Sequence, residues 1–93
     1  MDVAAIDIMK HELQVRLADK VMSEHDMRLA IQDYLKQQEF SHEMREVDAV
    51  LEHMSRKCEL AKGIVASTGK VYFKMARLSE MFESAELPKA DLA

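Results

Sequence analysis

The clearest pattern in the chain is a stripe of apolar residues, spaced three and four apart, that runs from residue 44 to residue 65. Charged residues fill most of the positions between them, and no Gly or Pro interrupts the run before Gly63. This spacing is typical of a heptad-patterned helix that packs one face against other helices. The members of the stripe are Met44, Val47, Leu51, Met54, Cys58, Ala61 and Val65.

The first 22 residues carry two apolar stripes instead of one. The first consists of Val3, Ile6, Met9, Leu13, Leu17 and Val21. The second consists of Ala4, Ile8, His11, Val15, Ala18 and Met22. A helix that is apolar on two sides has to be covered on both. We therefore expect the first stripe to enter the core and the second to contact another chain. In the alternative, the last helix of the same chain covers the second stripe.

Polar segments divide the rest of the pattern. Ser23 and Ser41 are suitable N-caps for two further helices, Gly63 is a natural helix stop, and Pro88 ends the last apolar run. The sequence therefore predicts an all-α fold, either a small helical bundle or a long helical hairpin with coiled-coil-like packing. Its helices are expected at about residues 2–22, 24–38, 42–62 and 70–86.

Two of these boundaries have alternatives. The first stripe continues in phase past Ser23, so residues 2–38 could form one helix. The last stripe extends backward through both glycines, although each interior Gly costs about 1 kcal/mol relative to Ala. In either case residues 1–87 are expected to form a single helical domain, followed by a frayed tail at residues 88–93.

The composition narrows the class of protein. Hydrophobic residues make up 48% of the chain and charged residues 32%, which is too apolar for disorder. The single cysteine, Cys58, excludes an intramolecular disulfide and indicates a reducing compartment. No long uncharged apolar run is present. We therefore expect a cytoplasmic protein with no membrane insertion.

Charge is distributed unevenly along the chain. Residues 1–54 hold twelve acidic and six basic residues, whereas residues 55–77 hold one acidic and six basic residues. Within the basic segment, Lys70, Lys74 and Arg77 would share one face of a helix. Duplex-binding domains usually present a net basic charge, and this chain has a net charge of −4. We therefore expect this face to meet an acidic protein surface, and nucleic-acid binding is unfavourable.

Three short motifs approach known sites without matching them. Residues 63–70 have one residue too many for a phosphate loop, and Val71 replaces its hydroxyl residue. Residues 39–42 have the Glu-x-x-His spacing of di-iron bundles, but the chain has no second copy. His53 and Cys58 are five residues apart, on different helix faces, so they could bind zinc only across an interface. The sequence thus predicts no catalytic residue, metal, cofactor or small-molecule substrate.

These observations favour a non-catalytic protein–protein interaction module. Such a protein would act as a small adaptor, regulator or chaperone and bind a protein partner or a second copy of itself. The alternative is a metal- or ligand-sensing helical dimer that regulates transcription by binding nucleic acid. The predicted interface consists of Ala4, Ile8, His11, Val15, Ala18, Met22, Lys70, Lys74 and Arg77.

Overall fold

The structure is a computed structural model that describes residues 2–90, and within them it contains three helices and three short strands. In chain order the elements are α1 (Val3–Leu17), β1 (Val21–Ser23), α2 (Glu24–Gln37), α3 (Met44–Arg56), β2 (Leu60–Ile64) and β3 (Val71–Met75). The strands form one antiparallel sheet in the order β1-β3-β2. The prediction of an all-α helical bundle with coiled-coil packing is therefore wrong.

The first residues of α1 and α2 agree closely with the predicted helix starts at residues 2 and 24. The Ser23 hydroxyl accepts a hydrogen bond from the Asp26 amide at 3.1 Å, and α2 confirms the helix predicted at residues 24–38. The α1 helix ends at Leu17, earlier than predicted, because Asp19 adopts a left-handed φ of 62°. The chain then enters β1, which pairs with β3, so a single helix over residues 2–38 is excluded.

The first half of the heptad stripe is a helix with a buried face. Val47, Leu51 and Met54 are buried in α3, as their spacing predicts. Glu43, and not Ser41, occupies the N-cap position, and it makes no side-chain capping bond.

The second half of the stripe is not helical. The α3 helix ends at Arg56, where Cys58 adopts a φ of 56° and the Glu59 amide donates to the Met54 carbonyl at 3.0 Å. This is the geometry of a Schellman-type helix end. Leu60–Ile64 then forms β2, because Gly63 disfavours a helix and the β-branched Ile64 favours a pleated strand. The predicted helix at 42–62 is therefore correct only up to residue 56.

The helix predicted at 70–86 is also wrong. Val71–Met75 forms β3, the central strand, because it combines β-branched and aromatic residues that pack well on a sheet. Gly69, at a φ of 70°, donates its amide to the Val65 carbonyl at 2.8 Å and closes the loop between β2 and β3. A helix through both glycines is therefore excluded.

Gly63 allows a close approach between neighbouring strands. It pairs with Tyr72, and a Cβ atom at residue 63 would lie 2.4 Å from the Cζ atom of that ring. The absence of a side chain, and not a helix stop, is therefore what this position requires.

The helices and the sheet share one hydrophobic core. Of the predicted first stripe, Ile6, Met9 and Leu13 lie in the core and Leu17 packs against it, whereas Val3 and Val21 are exposed. The β2 and β3 strands contribute one face of the sheet. The most deeply buried members are Leu13, Met27, Ile31, Leu35, Val47, Val50, Met54, Leu60 and Met75.

The C-terminal segment covers the free edge of β2. The Lys62 amide donates to the Ala85 carbonyl, and the Leu87 amide donates to the Lys62 carbonyl, both at 2.8 Å. The Ala90 carbonyl accepts from the Ala66 amide at 2.8 Å, so residues 88–90 of the predicted frayed tail lie along the sheet. Residues 91–93 of that tail lie outside the described residues. Covering an edge in this way protects its backbone groups from pairing with other chains.

We predict that Leu51→Ala lowers the free energy of unfolding by about 2–5 kcal/mol, the usual cost of truncating a buried leucine. Leu51 is only 7% exposed. Urea denaturation followed by circular dichroism measures the change. Leu29→Ala is the matched control, because Leu29 on α2 is 41% exposed and should lose much less stability. Equal losses for the two variants would show that the α3 stripe does not form the core.

Candidate functional site

The outward face of α1 is an exposed apolar surface. Ile8 is 79% exposed and Val15 is 66% exposed, although the opposite face of the same helix is buried in the core. Ala4 and His11 are exposed on the same side. We refer to Ala4, Ile8, His11 and Val15 as the α1 stripe. Ile8 and Val15 lie two helical turns apart on one line, so the stripe could lie along another helix.

The other two residues of the predicted stripe have different surroundings. Ala18 is half-buried beyond the end of α1, where it forms a bridge with Met75. Met22 lies in β1 and packs against the core. The alternative in which a last helix covers the second stripe is wrong, because Val71–Met75 is a strand.

The three predicted basic interface residues do not share a helix face. Lys70 ends the loop before β3, and Lys74 lies within that strand. The Nε atom of Arg77 lies 2.6 Å from a carboxylate oxygen of Asp19, and this hydrogen bond raises the pKa of Arg77. Arg77 therefore meets an acidic group of its own chain.

A charged network that the sequence pattern did not reveal joins α1 to the end of α3. The Nζ atom of Lys10 lies 3.0 Å from Glu59 Oε2 and 3.3 Å from Asp7 Oδ1. The Nε2 atom of His53 lies 3.0 Å from the same oxygen of Asp7. Lys10 and Glu59 are largely buried side chains, and each is paired with an opposite charge, as buried charges require. The network fixes the rotation of α1 and thus the outward direction of the α1 stripe.

The protonation states in this network follow from its contacts. The hydrogen bond with His53 is the largest influence on Asp7, and with Lys10 and Lys57 it lowers the pKa of Asp7 from 3.8 to about 2. Burial opposes the charge of Lys10, but its bonds to Glu59 and Asp7 outweigh burial and raise its pKa. Because Asp7 is ionised at neutral pH and can only accept, Nε2 of His53 is the donor.

The surface formed by α2 and α3 is acidic. The guanidinium of Arg28 contacts Glu24 at 3.2 Å and also contacts Asp48, whose hydrogen bond raises the pKa of Arg28. The Nε2 atom of Gln32 in α2 donates to the carbonyl of His42 at 2.9 Å and so holds the connection between the two helices against α2. Residues 24–56 contain eight acidic and four basic residues, so this part of the chain has a formal net charge of −4.

The fold does not assemble the candidate metal and phosphate motifs into binding sites within the described residues. Among residues 2–90, no three His, Cys, Asp or Glu side chains come together in a way that could hold a metal ion. Residues 39–42 belong to the connection between α2 and α3, and residues 63–70 form the end of β2 and the following loop. Cys58 is half-buried just beyond α3, and His53 is engaged by Asp7.

Comparison of the chain with models of protein families, with curated protein sequences and with solved structures found no match. Within the described part of the chain, no helix has both the length and the apolar character needed to cross a bilayer.

We predict that the Asp7 network loses its stabilising effect in acid. Since folding lowers the pKa of Asp7 to about 2, the contribution is complete above its ordinary pKa of 3.8 and disappears as the pH falls from about 4 to about 2. Asp7→Asn should be less stable than the wild type at pH 6, and the difference should shrink as the pH falls through that range.

Urea denaturation at a series of pH values tests this expectation. Asp33→Asn, an exposed change on α2, is the control and should leave the pH dependence unchanged. A constant difference between Asp7→Asn and the wild type from pH 6 to pH 2 would contradict the assigned role of Asp7.

Proposed function

We propose that this chain is a non-catalytic protein-interaction module that works as a two-fold homodimer joined along α1, in the role of a small adaptor, regulator or chaperone. The observation that supports it is the exposure of Ile8 and Val15 on a helix whose other face fills the core. Single exposed apolar residues are common on protein surfaces. A line of them along a helix is more typical of a docking surface.

The α1 stripe is complementary to itself. In an antiparallel arrangement centred between His11 and Glu12, Ile8 of each copy faces Val15 of the other. This pairing buries apolar surface twice, once on each side of the axis. A two-fold axis requires such self-complementarity, because the same patch of both copies forms the contact.

Nucleic-acid binding is a second candidate, favoured by the order of the elements. The elements occur in the order helix, strand, helix, helix, strand, strand, and the order of the strands in the sheet is β1-β3-β2. This arrangement resembles a winged helix-turn-helix domain. In helix-turn-helix proteins, the second helix of the motif enters the major groove. Here that helix would be α3, whose exposed side carries Arg45 and Arg56 but also Asp48 and Glu52, so it offers the phosphates no net positive charge. The resemblance is one of architecture alone, so protein binding is the better supported function.

We predict that Ile8→Glu combined with Val15→Glu leaves the domain folded and abolishes its self-association. The two carboxylates would face apolar residues across the dimer axis, and burying them there is costly. Circular dichroism reports the fold, and sedimentation velocity over a range of protein concentrations reports the oligomer.

Leu29→Glu is the matched control, since Leu29 is an exposed apolar residue on α2 and does not belong to the α1 stripe. It should sediment like the wild type. A wild-type protein that remains monomeric at every concentration, or a double variant that dimerises as well as the wild type, would exclude the α1 dimer.

We also predict that the wild type binds a short random-sequence DNA duplex more weakly than about 0.1 mM at physiological salt, the weak end of non-specific binding. Fluorescence anisotropy with the labelled duplex measures this affinity. Tighter binding that is lost in Lys70→Ala combined with Lys74→Ala would favour the nucleic-acid function instead.

A further inference from the structure

A groove of about 490 Å³ lies between α3 and the β2–β3 hairpin, and no residue of the α1 stripe lines it. Its floor is apolar: Leu51 and Phe73 are buried, and Val71 and Ala85 are half-buried. Its rim is charged and consists of Glu24, Arg28, Asp48, Glu52, Lys62 and Glu86. An apolar floor with a few placed polar groups is the usual composition of a binding groove.

The charge of this rim is net acidic. Four carboxylates face two cations, and one of the cations, Arg28, is already held by Glu24 and Asp48. Within residues 2–90, the carboxylate of Glu52 pairs only with Arg56, at 3.5 Å, and both side chains are mostly exposed, so this pair is weak. Glu52 can therefore exchange its present partner for a cation of another protein.

The C-terminal segment builds the other wall of the groove. Backbone hydrogen bonds of Lys62 to Ala85 and to Leu87, both 2.8 Å, fix this segment against β2. They place Glu86 and the Ala85 side chain at the groove. The groove is thus preformed by backbone pairing, which reduces the ordering cost of binding.

We propose that this groove binds a short basic amphipathic segment of a partner protein. One or two aliphatic side chains of the segment would cover Val71 and Ala85, and a Lys or Arg would lie near Glu52 and Glu86. The inference deepens the proposed function, because it rests on protein binding and names the class of partner, but it does not require the α1 dimer. The same carboxylates would repel nucleic acid.

Three labelled synthetic peptides serve as probes. The first alternates Lys with Leu and Ala, the second replaces every Lys with Glu, and the third replaces every Leu with Ser. Fluorescence anisotropy should show binding of the first peptide only. Raising the salt from about 50 to 200 mM should weaken that binding, because exposed charge pairs are screened.

Two variants test the location of the site. Glu52→Lys replaces attraction by repulsion at the rim, and Ala85→Phe fills the floor. Each should weaken binding of the first peptide about tenfold, a change of about 1.4 kcal/mol. Asp33→Lys is the matched control, since it makes the same charge change at an exposed position of α2 outside the groove and should have little effect.

The proposal is overturned if the wild type binds none of the peptides, if the acidic or Leu-free peptide binds equally well, or if Asp33→Lys weakens binding as much as Glu52→Lys. Repeating the titration with Ile8→Glu combined with Val15→Glu separates the two proposals. Retained peptide binding by a monomeric variant supports the groove independently of the dimer. Peptide binding that disappears with the dimer would place the peptide on the α1 stripe and overturn the groove.

Discussion

The buried face of α3 is the contact on which the rest of the structure depends. Val47, Val50 and Met54 are fully buried, and burial of each side chain contributes about 1.5–3 kcal/mol. The α1 and α2 helices and the β2 strand all pack against α3. Only a narrow strip of this helix therefore faces solvent, and its charged residues are Arg45, Asp48, Glu52 and Arg56. The packing thus decides which charges of α3 are available to a partner.

The sequence predicted the parts of the fold that depend on local spacing and capping. The α2 helix, its Ser23 cap and the buried positions of α3 all follow from residues a few positions apart. The ends of α1 and α3 were missed because the chain turns there without glycine. Asp19, Glu39 and Cys58 each adopt a left-handed φ just beyond α1, α2 and α3, respectively. Such a residue costs about 1–3 kcal/mol, which the bonded carbonyls of the helix end offset.

The sheet was missed because short apolar runs fit a helix or a strand equally well. The aromatic and β-branched content of Val71–Met75 was the available signal, and the heptad spacing obscured it. The first strand, β1, has only three residues, and its partner lies some fifty residues later in the chain, so local patterning could not identify it.

The candidate binding surfaces also divide into those that local spacing predicts and those that depend on distant residues. The α1 stripe followed from spacing alone, because both apolar faces of a helix can be located from the order of its own residues. Spacing could not predict the pairing of Lys10 with Glu59 or the groove beside Glu86. Each of these features joins residues that are far apart in the sequence and that only the fold brings together.

The charged network and the α1 stripe together determine how strongly two copies can associate. Because Lys10 and Asp7 are anchored on Glu59 and His53, α1 cannot rotate to bury Ile8 and Val15 within its own chain. Covering these two side chains in both copies would contribute at most about 6–12 kcal/mol. Association costs about 4–15 kcal/mol in lost freedom of motion, so apolar burial alone leaves the dimer near balance. The small Ala4 side chain permits close approach of the two helices, so the quality of packing between them then decides whether they associate. The proposed dimer would therefore be reversible and dependent on concentration.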